Sequence, residues 1–185
     1  MPNKKSQLVK ASRTNVLVRF TRRFEQGSVT GYVMEVGPHF FLLSLVSDGI
    51  RLNGFQCFRI SDVRGLELPA KYSQFAEAAL RKRREHLPKK PSVLLSSLPN
   101  LLSSASRAFP LVTIHREKSD PDVCHIGRVV KLSKGSVKLL EIGPDGNWDG
   151  KPETYRLSEI TRVDFGGDYE EALHLVGGAP KLQRS

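Results

Sequence analysis

Cys124 and His125 form the one adjacent Cys–His pair in the sequence, and a thiol beside an imidazole is the minimum equipment for nucleophilic catalysis. Consecutive residues of an extended strand point to opposite faces, so this His is not placed to activate this Cys, and structural roles are expected for both. Cys57, beside Phe58 in an apolar run, reads as a small core thiol. His39, His86, His115, His125 and His174 show no metal-ligand spacing, and the chain carries neither a glycine-rich phosphate loop nor a G-x-S-x-G elbow. No catalytic residue, metal site or cofactor is therefore expected, and the chain reads as a non-enzyme. Arg59 and Arg156 recur in matched contexts. Each guanidinium either lines a ligand groove, gripping phosphate or carboxylate, or pairs locally, with Asp62 or Glu67 in one case and Glu159 or Asp164 in the other.

The strongest chemical signal is charge. The 185 residues carry a formal net charge of +10, and the surplus is concentrated. Residues 1–23 hold Lys4, Lys5, Lys10, Arg13, Arg19, Arg22 and Arg23 with no acidic residue. Residues 81–90 hold Arg81, Lys82, Arg83, Arg84, Lys89 and Lys90 against Glu85. Blocks of this kind either contact phosphates or keep a protein in solution. Arginines and aromatics alternate only around Phe20, Arg22, Arg23 and Phe24.

These residues sit on a repeat. Residues 58–72, FRISDVRGLELPAKY, match residues 155–169, YRLSEITRVDFGGDY, at an offset of 97, with Arg59/Arg156, Ser61/Ser158 and Tyr72/Tyr169 identical. Upstream, Gly31-Tyr32-Val33 matches Gly127-Arg128-Val129, and Asp48-Gly49 matches Asp145-Gly146. In the first copy, alternation and turn signals predict strands over 16–24, 29–36, 40–46, 55–60 and 63–68, then a helix from Tyr72 to Arg84. The second copy predicts strands near 111–117, 124–132, 136–142, 153–158 and 160–165, and a short helix ending at Gly177-Gly178.

Five short strands in about 55 residues suit a small, strongly bent antiparallel barrel. Gly31 and Gly127 fall where a strand bends or another backbone comes close. Tyr72 and Tyr169 are expected to close the bottom of each barrel. Trp148, in the turn-rich Gly146–Gly150 stretch, either covers a barrel mouth or belongs to a binding surface. Residues 91–110, leucine-rich and interrupted by Pro99, read as one or two amphipathic turns lying on a barrel face.

A G-x-V strand, an apolar strand and a closing R-[IL]-S-[DE]-[VI] turn resemble the Sm-like and SH3-like small barrels, and more closely an uncharacterised bacterial group with an N/D-G turn followed by R-L-x-D-[VI]. The resemblance covers roughly 14–80 and 110–175. It implies a mainly β chain of two tandem five-stranded antiparallel barrels, each followed by a short helix. It also implies single-stranded RNA binding through a D-x-x-x-N loop and an R-G pair. Here the loops read Gly37-Pro38-His39-Phe40 and Lys134-Gly135-Ser136, and Arg64-Gly65 becomes Thr161-Arg162 in the second copy.

The expected organisation is a basic arm (1–13), a first barrel and helix (14–86), a connector (87–109), a second barrel and helix (110–176) and a tail (177–185). The expected function is binding of RNA or DNA phosphates through the arm and the 81–90 block, with Arg59, Arg156 and Trp148 as ligand-groove candidates. The alternative is a protein-interaction adaptor using barrel edges and the Trp148 loop, the basic blocks then serving solubility. No membrane partner, a cytoplasmic location, and either a monomeric pseudo-dimer or a small homo-oligomer complete the expectation.

Overall fold

Asn3 opens the chain's first element by accepting the amide of Lys5 at 3.0 Å, and Asn15, at φ 48, closes it; between them lies helix α1 (Lys4–Thr14). The computed structural model describes residues 3–24 and 27–180. Residues 1 and 2 of the arm, Gln26 of the first expected turn and 181–185 of the tail lie outside the described residues. Five strands follow: β1 (Leu17–Arg22), β2 (Ser28–Val36), β3 (Phe40–Val46), β4 (Leu52–Arg59) and, after one 3-10 turn, β5 (Val63–Glu67). Helix α2 (Ser73–Lys82) ends the first half. The second half repeats the order with α3 (Leu98–Ala108), β6 (Val112–His115), β7 (Cys124–Ser133), β8 (Ser136–Glu141), β9 (Glu153–Arg156), β10 (Arg162–Phe165) and α4 (Asp168–Gly177).

The expected strands are all present, with shifted ends. The first copy's fourth strand begins at Leu52, because the Ser47–Arg51 turn closes on itself and returns the chain to pair Leu52 with Val46. β10 begins at Arg162, because residues 156–160 form a turn through Glu159 N–H to Arg156 O and Ile160 N–H to Leu157 O.

Two helices were not expected at this length. The segment read as a basic arm is α1, anchored by fully buried Leu8 and Ala11. In the connector, Pro99 does not interrupt α3 but stands in its first turn, where a missing N–H costs nothing, while Ser97 caps the amide of Asn100. The two helices also match: Leu8, Ala11, Ser12 and Arg13 recur as Leu102, Ala105, Ser106 and Arg107. The repeat unit therefore begins with a helix.

The fold is mainly β. All ten strands join one antiparallel sheet in the order β5-β1-β2-β3-β4-β10-β6-β7-β8-β9. The two halves have the same internal order and meet edge to edge, with Phe55, Gln56, Cys57 and Phe58 opposite Phe165, Asp164, Val163 and Arg162. The sheet is not closed into a barrel; β5 and β9 are its ends. Register repeats as well. Gly31 pairs with Leu45 and Gly127 with Glu141, and an irregularity follows each, at Val33/Glu35 and Val129/Lys131. A Cβ at Gly31 or Gly127 would run into the carbonyl oxygen of Ser44 or Leu140, so of the two expected roles, a bend or a close backbone approach, the second is met at both.

α1 covers a core of Val18, Phe20, Val33, Phe41, Leu43 and Phe58. α3 sets Leu98, Leu101, Leu102 and Ala105 against Phe55 and Cys57 of the first half and Ile114, Leu139 and Phe165 of the second, so the joint lies inside the largest core. α2 and α4 cover smaller clusters, Leu17, Tyr32 and Val46 in one case and Leu111, Ile126 and Ile142 in the other.

Candidate nucleic-acid interface

The structure divides the basic residues of 1–23 and 81–90 into two populations. Lys10, Arg13 and Arg23 are exposed, as are Arg81, Lys82, Arg84 and Lys89, and none of these seven is paired with a carboxylate among the described residues. The others are engaged. Lys4 and Lys5 donate to the carbonyls of Val63 (2.6 Å) and Pro38 (3.3 Å). Arg19 is oriented by an Nε–H bond to Ser28 Oγ at 2.6 Å. Arg83 donates to the carbonyls of Gly49 and Ile50, and Lys90 pairs with Glu35 at 2.6 Å.

Arg22 leaves the surface altogether. It is 3% exposed, lies 4.6 Å from the centroid of the Phe58 ring and forms a forked ion pair with Glu117 of the second half. Burial opposes ionisation of Glu117, but hydrogen bonds from Arg22 and Thr161 outweigh it and hold the carboxyl below its ordinary value.

A second polar cluster lies across the same joint. Asp164 accepts from Gln56 at 3.2 Å, faces His115 Nε2 at 3.1 Å and is gripped by Arg162. Burial disfavours its charge, yet Arg162 and His115 pull it down to about 2.

Arg59 and Arg156 are not brought to one groove. Arg59 donates across the joint to the carbonyls of Ser158 (3.3 Å) and Ile160, not to Asp62 or Glu67. Arg156 stays exposed and only 3.9 Å from Glu159, its expected local partner. The Trp148 indole donates to the carbonyls of Gly177 (3.1 Å) and Gly178 (3.3 Å) and packs beside Ile142, which fastens its loop to the end of α4.

Cys124 is exposed, and its neighbour His125 turns instead to Glu141 at 3.0 Å and the Tyr155 hydroxyl at 2.9 Å. Cys57 is buried in the main core, where desolvation and the charges of Asp164 and Glu35 push its thiol well up. Among the described residues, no group of three His, Cys, Asp or Glu side chains could hold a metal ion, and no helix is long and apolar enough to cross a membrane.

One correction concerns the tyrosines. Tyr72 and Tyr169 do not plug the two halves; they are 71% and 53% exposed. Ala70, Ala76 and Leu80 take the inward positions around α2, so Tyr72 turns outward. Beside it the sheet and α2 enclose a cleft of about 540 Å³, lined by Arg19, Thr30, Gln56 and Arg162 from the strands and by Lys71, Tyr72 and Phe75. Sequence reasoning missed Lys71, Phe75 and Arg162. The available signal was a phenylalanine in the otherwise small and acidic run SQFAEAAL.

Comparison with known proteins adds no relative: no family model, curated protein or solved structure matches this chain. Class is therefore carried by the molecule itself, an internally duplicated, mainly antiparallel β protein with a basic surface.

Proposed function

We propose that this chain is a non-enzymatic binding protein that contacts RNA or DNA phosphates through exposed basic side chains in residues 1–23 and 81–90. One observation carries the reading. Lys10, Arg13, Arg23, Arg81, Lys82, Arg84 and Lys89 are exposed beside no pairing carboxylate among the described residues, while Arg22, which ties the halves together, is drawn inside. Unpaired cations on ordered elements attract polyanions and release their counterions on contact. In this reading each half is a small barrel-like unit of the Sm-like or SH3-like kind, and the pair is a covalent pseudo-dimer that sets the spacing of the two basic segments. The adaptor alternative keeps the free edges β5 and β9 but loses the Trp148 loop, whose indole is already engaged.

The test is fluorescence anisotropy of the full chain with labelled RNA and DNA, compared with Lys10→Glu/Arg13→Glu and Arg81→Glu/Lys82→Glu. Each pair is expected to weaken binding several-fold without moving the thermal midpoint. Unchanged affinity in both, or no binding at low salt, would overturn the proposal.

A further inference from the structure

The cleft beside α2 gives this function a strand preference, and the inference rests on the phosphate-binding reading above. Tyr72 and Phe75 stand three residues apart, 71% and 67% exposed. A single exposed ring needs no explanation, but two beside one cleft form a patch. Neither ring belongs to the cluster that α2 covers. Tyr72 also holds φ 64 at the N-cap of α2, with no side-chain cap bond. Glycine or asparagine would occupy that left-handed position at less cost. Backbone strain spent on an outward-facing ring points to a ligand.

The charges around the cleft indicate which one. Among the described residues that line it, Arg19, Lys71 and Arg162 stand against one carboxylate, Asp48. Arg162 is committed to Asp164, whereas Lys71 Nζ lies 5.0 Å from the centroid of the Tyr72 ring. Flat apolar surfaces bordered by cations fit a base and its phosphate together. A duplex keeps its base faces stacked inside and offers only phosphates and groove edges.

We infer that this cleft takes unpaired nucleotides of a single-stranded nucleic acid, their bases stacked on Tyr72 and Phe75 and their phosphates facing Arg19 and Lys71. RNA and DNA share this chemistry. The two basic segments then supply affinity for any polyanion, and the cleft supplies the preference for an open strand.

The experiment is anisotropy of the full chain with labelled oligouridine, oligothymidine and a duplex of matched length. The variant Tyr72→Asn/Phe75→Ala removes both rings, and asparagine tolerates the left-handed backbone. Tyr72→Phe keeps the ring. The expected result is tighter binding of single strands than of duplex by the wild type. The double variant should lose about ten-fold or more for single strands, with duplex affinity and salt dependence unchanged, and Tyr72→Phe should bind like the wild type. The oligouridine and oligothymidine arms separate RNA from DNA as the source. Single-strand affinity that survives loss of both rings overturns the assignment, and so does a loss shared equally by the duplex. A change in sedimentation showing that the rings join two copies of the chain overturns it as well. If duplex binding and its salt dependence persist while the rings prove irrelevant, the cleft falls and the phosphate reading stands. If nothing binds at low salt, both fall.

Discussion

The halves of this molecule share a strand order and much of a register, yet matched residues do different work in each. Arg22 and Arg116 stand at the same point of their halves, and each lies over the matched ring, Phe58 at 4.6 Å and Tyr155 at 5.2 Å. Arg22 is buried and forks onto Glu117 across the joint, whereas Arg116 pairs with Asp120 and Glu159 within its own half. Arg59 reaches across to two carbonyls, while Arg156 lies on β9, which ends the described sheet. The difference comes from position in the sheet, because β4 is covered by β10 while β9 is an end. The second half also carries polar groups where the first is apolar. His125, Glu141 and Tyr155 bond to one another where Val29, Leu45 and Phe58 pack. A duplicated fold thus adds buried charge at the joint to the apolar core that α3 shares between the halves.

The comparison breaks hardest at Arg22. Arg22→Ala leaves Glu117 buried without its partner and is expected to cost about 3–5 kcal/mol in urea unfolding. Arg116→Ala, whose partners are partly exposed, should cost about 1 kcal/mol or less. Equal losses would contradict the asymmetry.

Leu8→Ala and Leu102→Ala come next. Both leucines are fully buried at matched helix positions, and each is expected to cost about 2–5 kcal/mol. A negligible effect of Leu8→Ala would return α1 to a loose arm.

Acid should act through the joint. Glu117 and Asp164 have folded pKa values below their unfolded ones, so each contributes stability that is present above the unfolded value. That stability is lost as pH falls through the ordinary carboxylate range towards about 2 for Asp164. Thermal midpoints between pH 7 and 3 should fall less in Asp164→Asn than in the wild type, once the variant's lower starting point is allowed for.

The smallest contrast is Arg59→Ala against Arg156→Ala. Loss of charged hydrogen bonds to two carbonyls is expected to cost about 1.5–3 kcal/mol, against less than about 0.5 kcal/mol for the exposed arginine. Chemical denaturation of the two variants reads the difference.

The strands were legible because alternation, the Asp-Gly turns and the repeat agree, so Gly31 and Gly127 could be assigned a bend or a close backbone approach from their place in a strand interior. The helices were less legible for separate reasons. In α1 only Leu8 and Ala11 are fully buried, and surrounding lysines suggest a solvated arm. In α3 a proline that starts a helix looks like one that breaks it. The joint was not legible at residue level, since the partner of Arg22 lies 95 residues away and only strand pairing brings it near. Nor was the cleft, which depends on Tyr72 taking a left-handed backbone and turning its ring outward.

The central claim, that the unpaired cations contact phosphates, is tested most directly by the slope of log affinity against log salt for the full chain and single-strand RNA between about 50 and 200 mM. If all seven exposed cations engage, affinity should fall about a thousand-fold over that range, with the slope shrinking by roughly 0.7 for each cation replaced. A slope near zero, or one unchanged when Lys10, Arg13, Arg81 and Lys82 are neutralised, would contradict the account.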